Sequence, residues 1–127
     1  MSFTNFLETE ILDHVFAGAA YSAPGTHYLA LFTAVADGEA GSVTELNGSA
    51  YTRKAVAFTT SGNTTSNNAA VEFPTATGSW GTVTHVGVYD ASSGGNLMAY
   101  ATLSSSKTID TGDVFRVPSG DLDITLN

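Results

Sequence analysis

The stretch WGTVTHVGVYDASSGGNLMAYATL, Trp80 to Leu103, decides the fold. Val83, His85, Gly87 and Tyr89 are spaced to face one way, and Thr84, Val86, Val88 and Asp90 the other. That is the period of two a pleated strand imposes on its side chains. Asp90 to Asn96 then supplies Asp, Ser, Gly and Asn, which tolerate turns and positive φ. Asn96 to Leu103 resumes an apolar run. The stretch predicts a hairpin in the middle of a sheet and describes no active site.

Working outward, the same alternation recurs. His27 to Thr33, HYLALFT, is apolar on both faces and reads as a strand covered twice. In Tyr51 to Thr59, YTRKAVAFT, Lys54, Val56 and Phe58 share one face and Arg53, Ala55 and Ala57 the other. Arg53 and Lys54 therefore form no single patch and are expected to pair with nearby acids. Thr60 to Asn68 reads as a polar turn, and Ala69 to Phe73 as a short strand ended by Pro74. Ser104 to Ile109 follows the hairpin, and Asp121 to Leu126 closes the chain with Leu122, Ile124 and Leu126 facing in. Ala34 to Ala50 is the longest segment without a pattern, and long loops are often functional. About seven or eight short strands with turn signals between them predict a mainly β fold. The architecture expected is an antiparallel β-sandwich, jelly-roll or Ig-like.

One helix precedes the strands. In residues 5–18, NFLETEILDHVFAG, Leu7, Ile11 and Val15 repeat every four residues, and Leu12 with Phe16 widens the stripe. Asn5 is the expected cap, with Glu8 three residues on, and Gly18 a natural stop. The apolar face must dock, either on an end of the same domain or on a neighbouring subunit. The organisation expected is a single domain over 1–127, with the helix at 5–18 and the sandwich at 27–126.

Composition narrows the function classes. At 127 residues the chain is long enough for a core that buries roughly two-thirds of its unfolded surface. It has no cysteine, so neither disulfides nor thiol chemistry are available. A net charge of -8 repels polyanions, which argues against a nucleic-acid partner. Charged residues make up 13%, about half the usual share of roughly 25%. Surfaces so poor in charge are often covered by neighbours in an assembly. The start MSFTNFLETE has no basic segment or long apolar run, and no stretch is long enough to span a bilayer. The expectation is a protein made without export and without a membrane partner.

Chemistry is not apparent. No G-x-S-x-G elbow or H-E-x-x-H is present, and His14, His27 and His85 lack partners at metal-ligand spacing. His85, in mid-strand, is expected to be a buried, hydrogen-bonded core residue. Asp110 with Asp113, and Asp121 with Asp123, read as turn-forming and solvated carboxylates, since no calcium loop with a closing Glu is present. No catalytic residue, cofactor or metal ligand is assigned, and the protein is not expected to be an enzyme.

A wider pattern carries a resemblance. It comprises L-D-H at Leu12–His14, Y-x-A-L-F-T at Tyr28–Thr33, and Y-x-R-x-A-V-x-F at Tyr51–Phe58. It continues with FPTATGSWGTVTHVGVYD at Phe73–Asp90, GGNLMAYATL at Gly94–Leu103, KTIDTGD at Lys107–Asp113 and LDITL at Leu122–Leu126. Together these resemble a family of small tailed-bacteriophage virion proteins, in order and over almost the whole chain. The resemblance implies a structural virion component without catalytic residues, with trimers the usual assembly and the virion, assembled in the host cytoplasm, as its location.

Two roles follow as expectations. The first is a homotrimeric capsid decoration, or cement, protein that binds and stabilises the coat shell. Its anchors would be Phe3 and Phe6 in the first six residues, Asp37, Glu39, Glu45 and Asn47 in the patternless loop, and Trp80. The second is a tail-fibre or receptor-binding module that recognises a host-surface glycan, with Trp80, Tyr89 and Tyr100 stacking on sugar rings. Partners under either reading are other copies of the chain and phage coat or tail proteins.

Overall fold

The computed structural model describes residues 1–126, so Asn127 of the expected domain lies outside the described residues. The predicted hairpin is the centre of the fold. Strand β8 (Gly81–Tyr89) pairs antiparallel with β9 (Leu97–Ile109), and the turn between them falls where Asp90 to Asn96 placed it. Asp90 Oδ1 accepts from the Asn96 N–H at 2.7 Å and closes that turn. Around the hairpin lies a six-stranded antiparallel sheet in the order β1 (Ser2–Phe3), β9, β8, β2 (His27–Asp37), β3 (Ser42–Glu45). The short β4 (Lys54–Val56) also pairs with β2, beside His27 to Leu29, so β3 and β4 share one edge of β2 end to end.

Two smaller sheets complete the sandwich. One joins β7 (Val71–Glu72) to β10 (Arg116–Val117); the other runs β11 (Asp123–Thr125), β6 (Thr64–Asn67), β5 (Phe58–Ser61). The main core lies between the layers. Leu29, Leu31, Val86 and Val88 come from the large sheet, and Val71, Phe73, Phe115, Val117 and Leu122 from the opposing segments. A satellite cluster of Ala30, Phe32, Tyr89 and Leu97 covers the other face of β2 and β8, which is why HYLALFT is apolar on both sides. Gly87 sits beneath Phe32: a Cβ there would meet a ring carbon at 2.6 Å. Asn67, 1% exposed, pins the loop before β11. Its Nδ2 donates to the Ala69 and Pro118 carbonyls at 2.9 Å, and its Oδ1 accepts from the Leu122 N–H at 2.9 Å.

Several expectations are corrected. The eleven strands among the described residues exceed the seven or eight read from pattern, because short polar strands give no alternation signal. The Thr60–Asn68 turn contains β6, whose hydroxyls are paired sideways: Thr60 with Thr65 at 3.0 Å, Thr64 with Thr125 at 2.9 Å, and Ser66 with Asp123. Most of the patternless segment 34–50, residues 34–45, belongs to a β2–β3 hairpin. Ser104 to Ile109 continues β9 and is no separate strand. A bulge between Val83 and His85, where Thr102 to Lys107 opposes them, turns Val83 onto the Val86 and Val88 face. His85 is half-buried, not fully buried, with Nδ1 hydrogen-bonded to Thr84 Oγ1 at 2.7 Å.

Helix α1 spans Asn5–Phe16. Its cap is Thr4, one residue before the expected Asn5. Thr4 is almost fully buried, and its Oγ1 accepts from the Leu7 N–H at 3.4 Å while donating to the Leu97 carbonyl at 2.6 Å. One side chain thus caps the helix and fixes it to β9. Gly18 takes a φ of 74°, and the following Ala19 N–H turns back to the Asp13 carbonyl at 3.0 Å.

Candidate interaction surface

Helix α1 docks only by its first turns. Leu7 is buried and Ile11 half-buried. Further along the stripe, Leu12 is 57%, Val15 61% and Phe16 82% exposed. The start of the helix therefore covers the end of its own domain's sheet, and its C-terminal half presents an apolar ridge to solvent. Phe6, half-buried, meets the Tyr21 ring edge-on at 6.4 Å and ties the segment after the helix back to its start.

The other expected contact residues fall into separate places. Phe3, on β1, opposes Ala99 of β9 and lines a crevice beneath Leu7. Asp37 ends β2 and Glu39 lies in the β2–β3 turn. Asp37 Oδ1 accepts from the Ala40 N–H at 3.3 Å, and Glu39 Oε1 accepts from the Tyr100 hydroxyl at 2.6 Å. That bond pushes the Tyr100 hydroxyl up to about 12, with smaller contributions from burial and neighbouring acids. The Glu39 carbonyl also accepts from the Asn5 N–H at 3.0 Å, so Phe6 and Glu39 line one shallow depression at the helix start. Asn47 is exposed and shares a second depression with Glu45 and Arg53.

Trp80 is corrected. It is 4% exposed, its Nε1 donates to the Ser49 carbonyl at 2.7 Å, and Tyr51 meets it edge-on at 5.6 Å. It is a core anchor with no free ring face for a sugar or a partner. Tyr89 is also buried, beneath Arg53, and the Tyr100 hydroxyl is held by Glu39. The three aromatics form no stacking groove.

Glu45 proves to be structural. Arg53 donates to it twice, Nε to Oε2 at 2.9 Å and Nη2 to Oε1 at 2.8 Å, in the one ion pair among the described residues. Nη1 donates to the Ala91 and Gly94 carbonyls, locking the β8–β9 turn onto β3. The Tyr51 hydroxyl donates to Glu45 Oε2 at 2.6 Å and accepts from the Leu31 N–H at 3.1 Å. Burial pushes the Glu45 carboxyl up, but the hydrogen bonds from Arg53 and Tyr51 and the guanidinium charge outweigh it and hold the group below its usual value. Burial first, then the bond to Glu45, pushes the Tyr51 hydroxyl up. Four of the five guanidinium N–H groups are bonded to the protein, so the expected pairing of Arg53 with an acid holds, while Lys54, expected to pair likewise, has no ion pair among the described residues.

Sequence reasoning missed the ridge. The stripe Leu7, Ile11, Val15 was legible, but a stripe does not say where along it the docking stops. A family model described as podophage GP4 fiber I protein gp80 matches residues 2–125. The chain belongs to this family. It is a phage virion protein of the fibre I kind, with the mainly β, helix-first fold read from its pattern. No curated protein matches it.

Proposed function

We propose that this chain is a structural module of a phage fibre, assembled as a homo-oligomer and held through the ridge of α1. The carrying observation is that ridge: Leu12, Val15 and Phe16 all lie more than half exposed on one short helix. Exposed apolar surface of this kind is a cost in a monomer and a gain in an assembly. The fibre wording of the family supports a tail location over the capsid decoration expected from small size and low charge. A homotrimer is the assembly proposed, formed in the host cytoplasm before incorporation.

Gold-labelled antibody on intact virions tests the location. Label at the tail, at a few copies per particle, is the expected result. Label spread over the head at many copies would sink the fibre reading and restore a cement role.

A further inference from the structure

Just after β3 the chain is anchored on both sides of one free residue. The Leu46 N–H donates to the Leu31 carbonyl at 2.9 Å, and the Leu46 side chain is buried. The Gly48 carbonyl accepts from the Tyr51 N–H at 3.1 Å, and the Ser49 carbonyl accepts from Trp80 Nε1 at 2.7 Å. Between these anchors Asn47 is exposed. Its side-chain amide makes no hydrogen bond among the described residues, and neither does the Gly48 N–H.

The other described asparagines differ. Asn63 Nδ2 donates to the Leu126 carbonyl at 2.8 Å, Asn68 Nδ2 to Thr59 Oγ1 at 3.1 Å, and Asn96 Nδ2 to Asp90 Oδ2 at 3.0 Å. Asn67 is bound through both ends of its amide. Asn5 opens α1 and precedes the bulky Phe6. Asn47 alone is followed by glycine. Packing demands that glycine: a Cβ at position 48 would meet Trp80 Cδ1 at 2.6 Å. The same demand leaves the Gly48 nitrogen with no side chain beside it.

We propose that Asn47–Gly48 is a site of spontaneous modification, in which the Gly48 nitrogen closes on the Asn47 side chain. Asparagine is a thermolabile residue, and here the fold leaves both reacting groups free. The Gly48 nitrogen attacks Asn47 Cγ. An N–Cγ bond forms and the Cγ–Nδ2 bond breaks. Nδ2 leaves as ammonia, carrying the proton from the Gly48 N–H. Water then opens the cyclic imide. Addition at Cγ gives aspartate; addition at the main-chain carbonyl gives isoaspartate, whose chain runs on through Cβ and Cγ. Nothing is oxidised or reduced, and loss of ammonia makes the change accumulate with age.

Either product adds one negative charge to a chain already at -8. Isoaspartate also lengthens the main chain by one atom between Leu46 and Gly48. Leu46 is held in the core and Gly48 lies against the Trp80 ring, so the extra length falls on the Trp80 contact.

Purified full-length protein, aged at mildly alkaline pH with and without urea and followed by peptide mapping, tests the inference. The expected result is a gain of one mass unit at Asn47, with ammonia released, at a similar rate in the folded and the unfolded chain. Asn47→Gln is expected to abolish it. An Asn47 that reacts in urea but stays intact in the folded protein overturns the inference. So does a folded chain in which another asparagine reacts first, or in which none reacts. Asn47→Asp carries the new charge without the longer chain. Aged protein containing isoaspartate is expected to unfold at lower urea than this variant, with altered Trp80 emission; equal midpoints overturn the link to Trp80.

Discussion

The Arg53 guanidinium carbon lies 3.6 Å from the centre of the Tyr89 ring. The cation covers one face of the tyrosine while its nitrogens hold Glu45 and the β8–β9 turn. Stacking and the bidentate fork need the same flat group, so the site is specific for arginine. Arg53→Ala is expected to destabilise the protein by about 3 kcal/mol, because it strips a half-buried carboxylate of its partner. Arg53→Lys keeps the charge but not the fork, and should recover less than half of that. Urea unfolding followed by Trp80 emission measures both.

Gly87→Ala is expected to cost about 2 kcal/mol through overpacking. The new methyl meets the Phe32 ring at 2.6 Å and a Leu97 methyl at 2.7 Å, and both belong to the satellite cluster. If that is the cause, Phe32→Leu should relieve part of the loss in the double variant. A double-mutant cycle with no coupling would show that the glycine acts by some other route.

Thr4→Val keeps the shape of the side chain and removes its hydroxyl. The helix loses its cap and the Leu97 carbonyl its short hydrogen bond. The expected loss is about 1 kcal/mol from the cap alone. Early proteolytic cleavage within residues 5–16, before global unfolding, would locate the loss in α1.

Acid is expected to destabilise the fold in two stages. Burial lowers the His27 pKa, with Asp90 opposing it. The unfolded chain therefore takes up a proton that the folded chain resists, and stability falls as pH drops below the ordinary histidine value of 6.5. Glu45 is also held below its ordinary 4.5, so its contribution is present above that value and is lost as pH falls through the folded pKa. Urea midpoints measured from pH 7 to pH 3 should decline in both windows. His27→Gln should flatten the upper decline and leave the lower one.

Much of this molecule was legible in the sequence wherever one face was dry and the other wet. The hairpin from Trp80 to Leu103 declared itself because Val86 and Val88 need a core. The bulge after Val83 did not, since inserted residues such as Ser104 to Ser106 have no pattern of their own. Strand β6 was hidden for the opposite reason: TTSN is polar on both sides, and only its pairing with β5 and β11 makes it a strand. The candidate surface split in the same way. Arg53 was expected to find an acid, but four hydrogen bonds and a tyrosine ring converging on it from β3, β8 and the β8–β9 turn are a property of the tertiary fold. The exposure of Phe16 depends on where the sheet ends beneath the helix, which no local spacing records.

The sideways pairing of Thr60, Thr64, Thr65, Ser66 and Thr125 across the outer sheet bears on the conditions a virion meets. Apart from the Asp123 link, these partners are uncharged hydroxyls, and screening by dissolved ions has nothing to weaken between them. That seam should hold equally well in fresh water, brine or the lysed host.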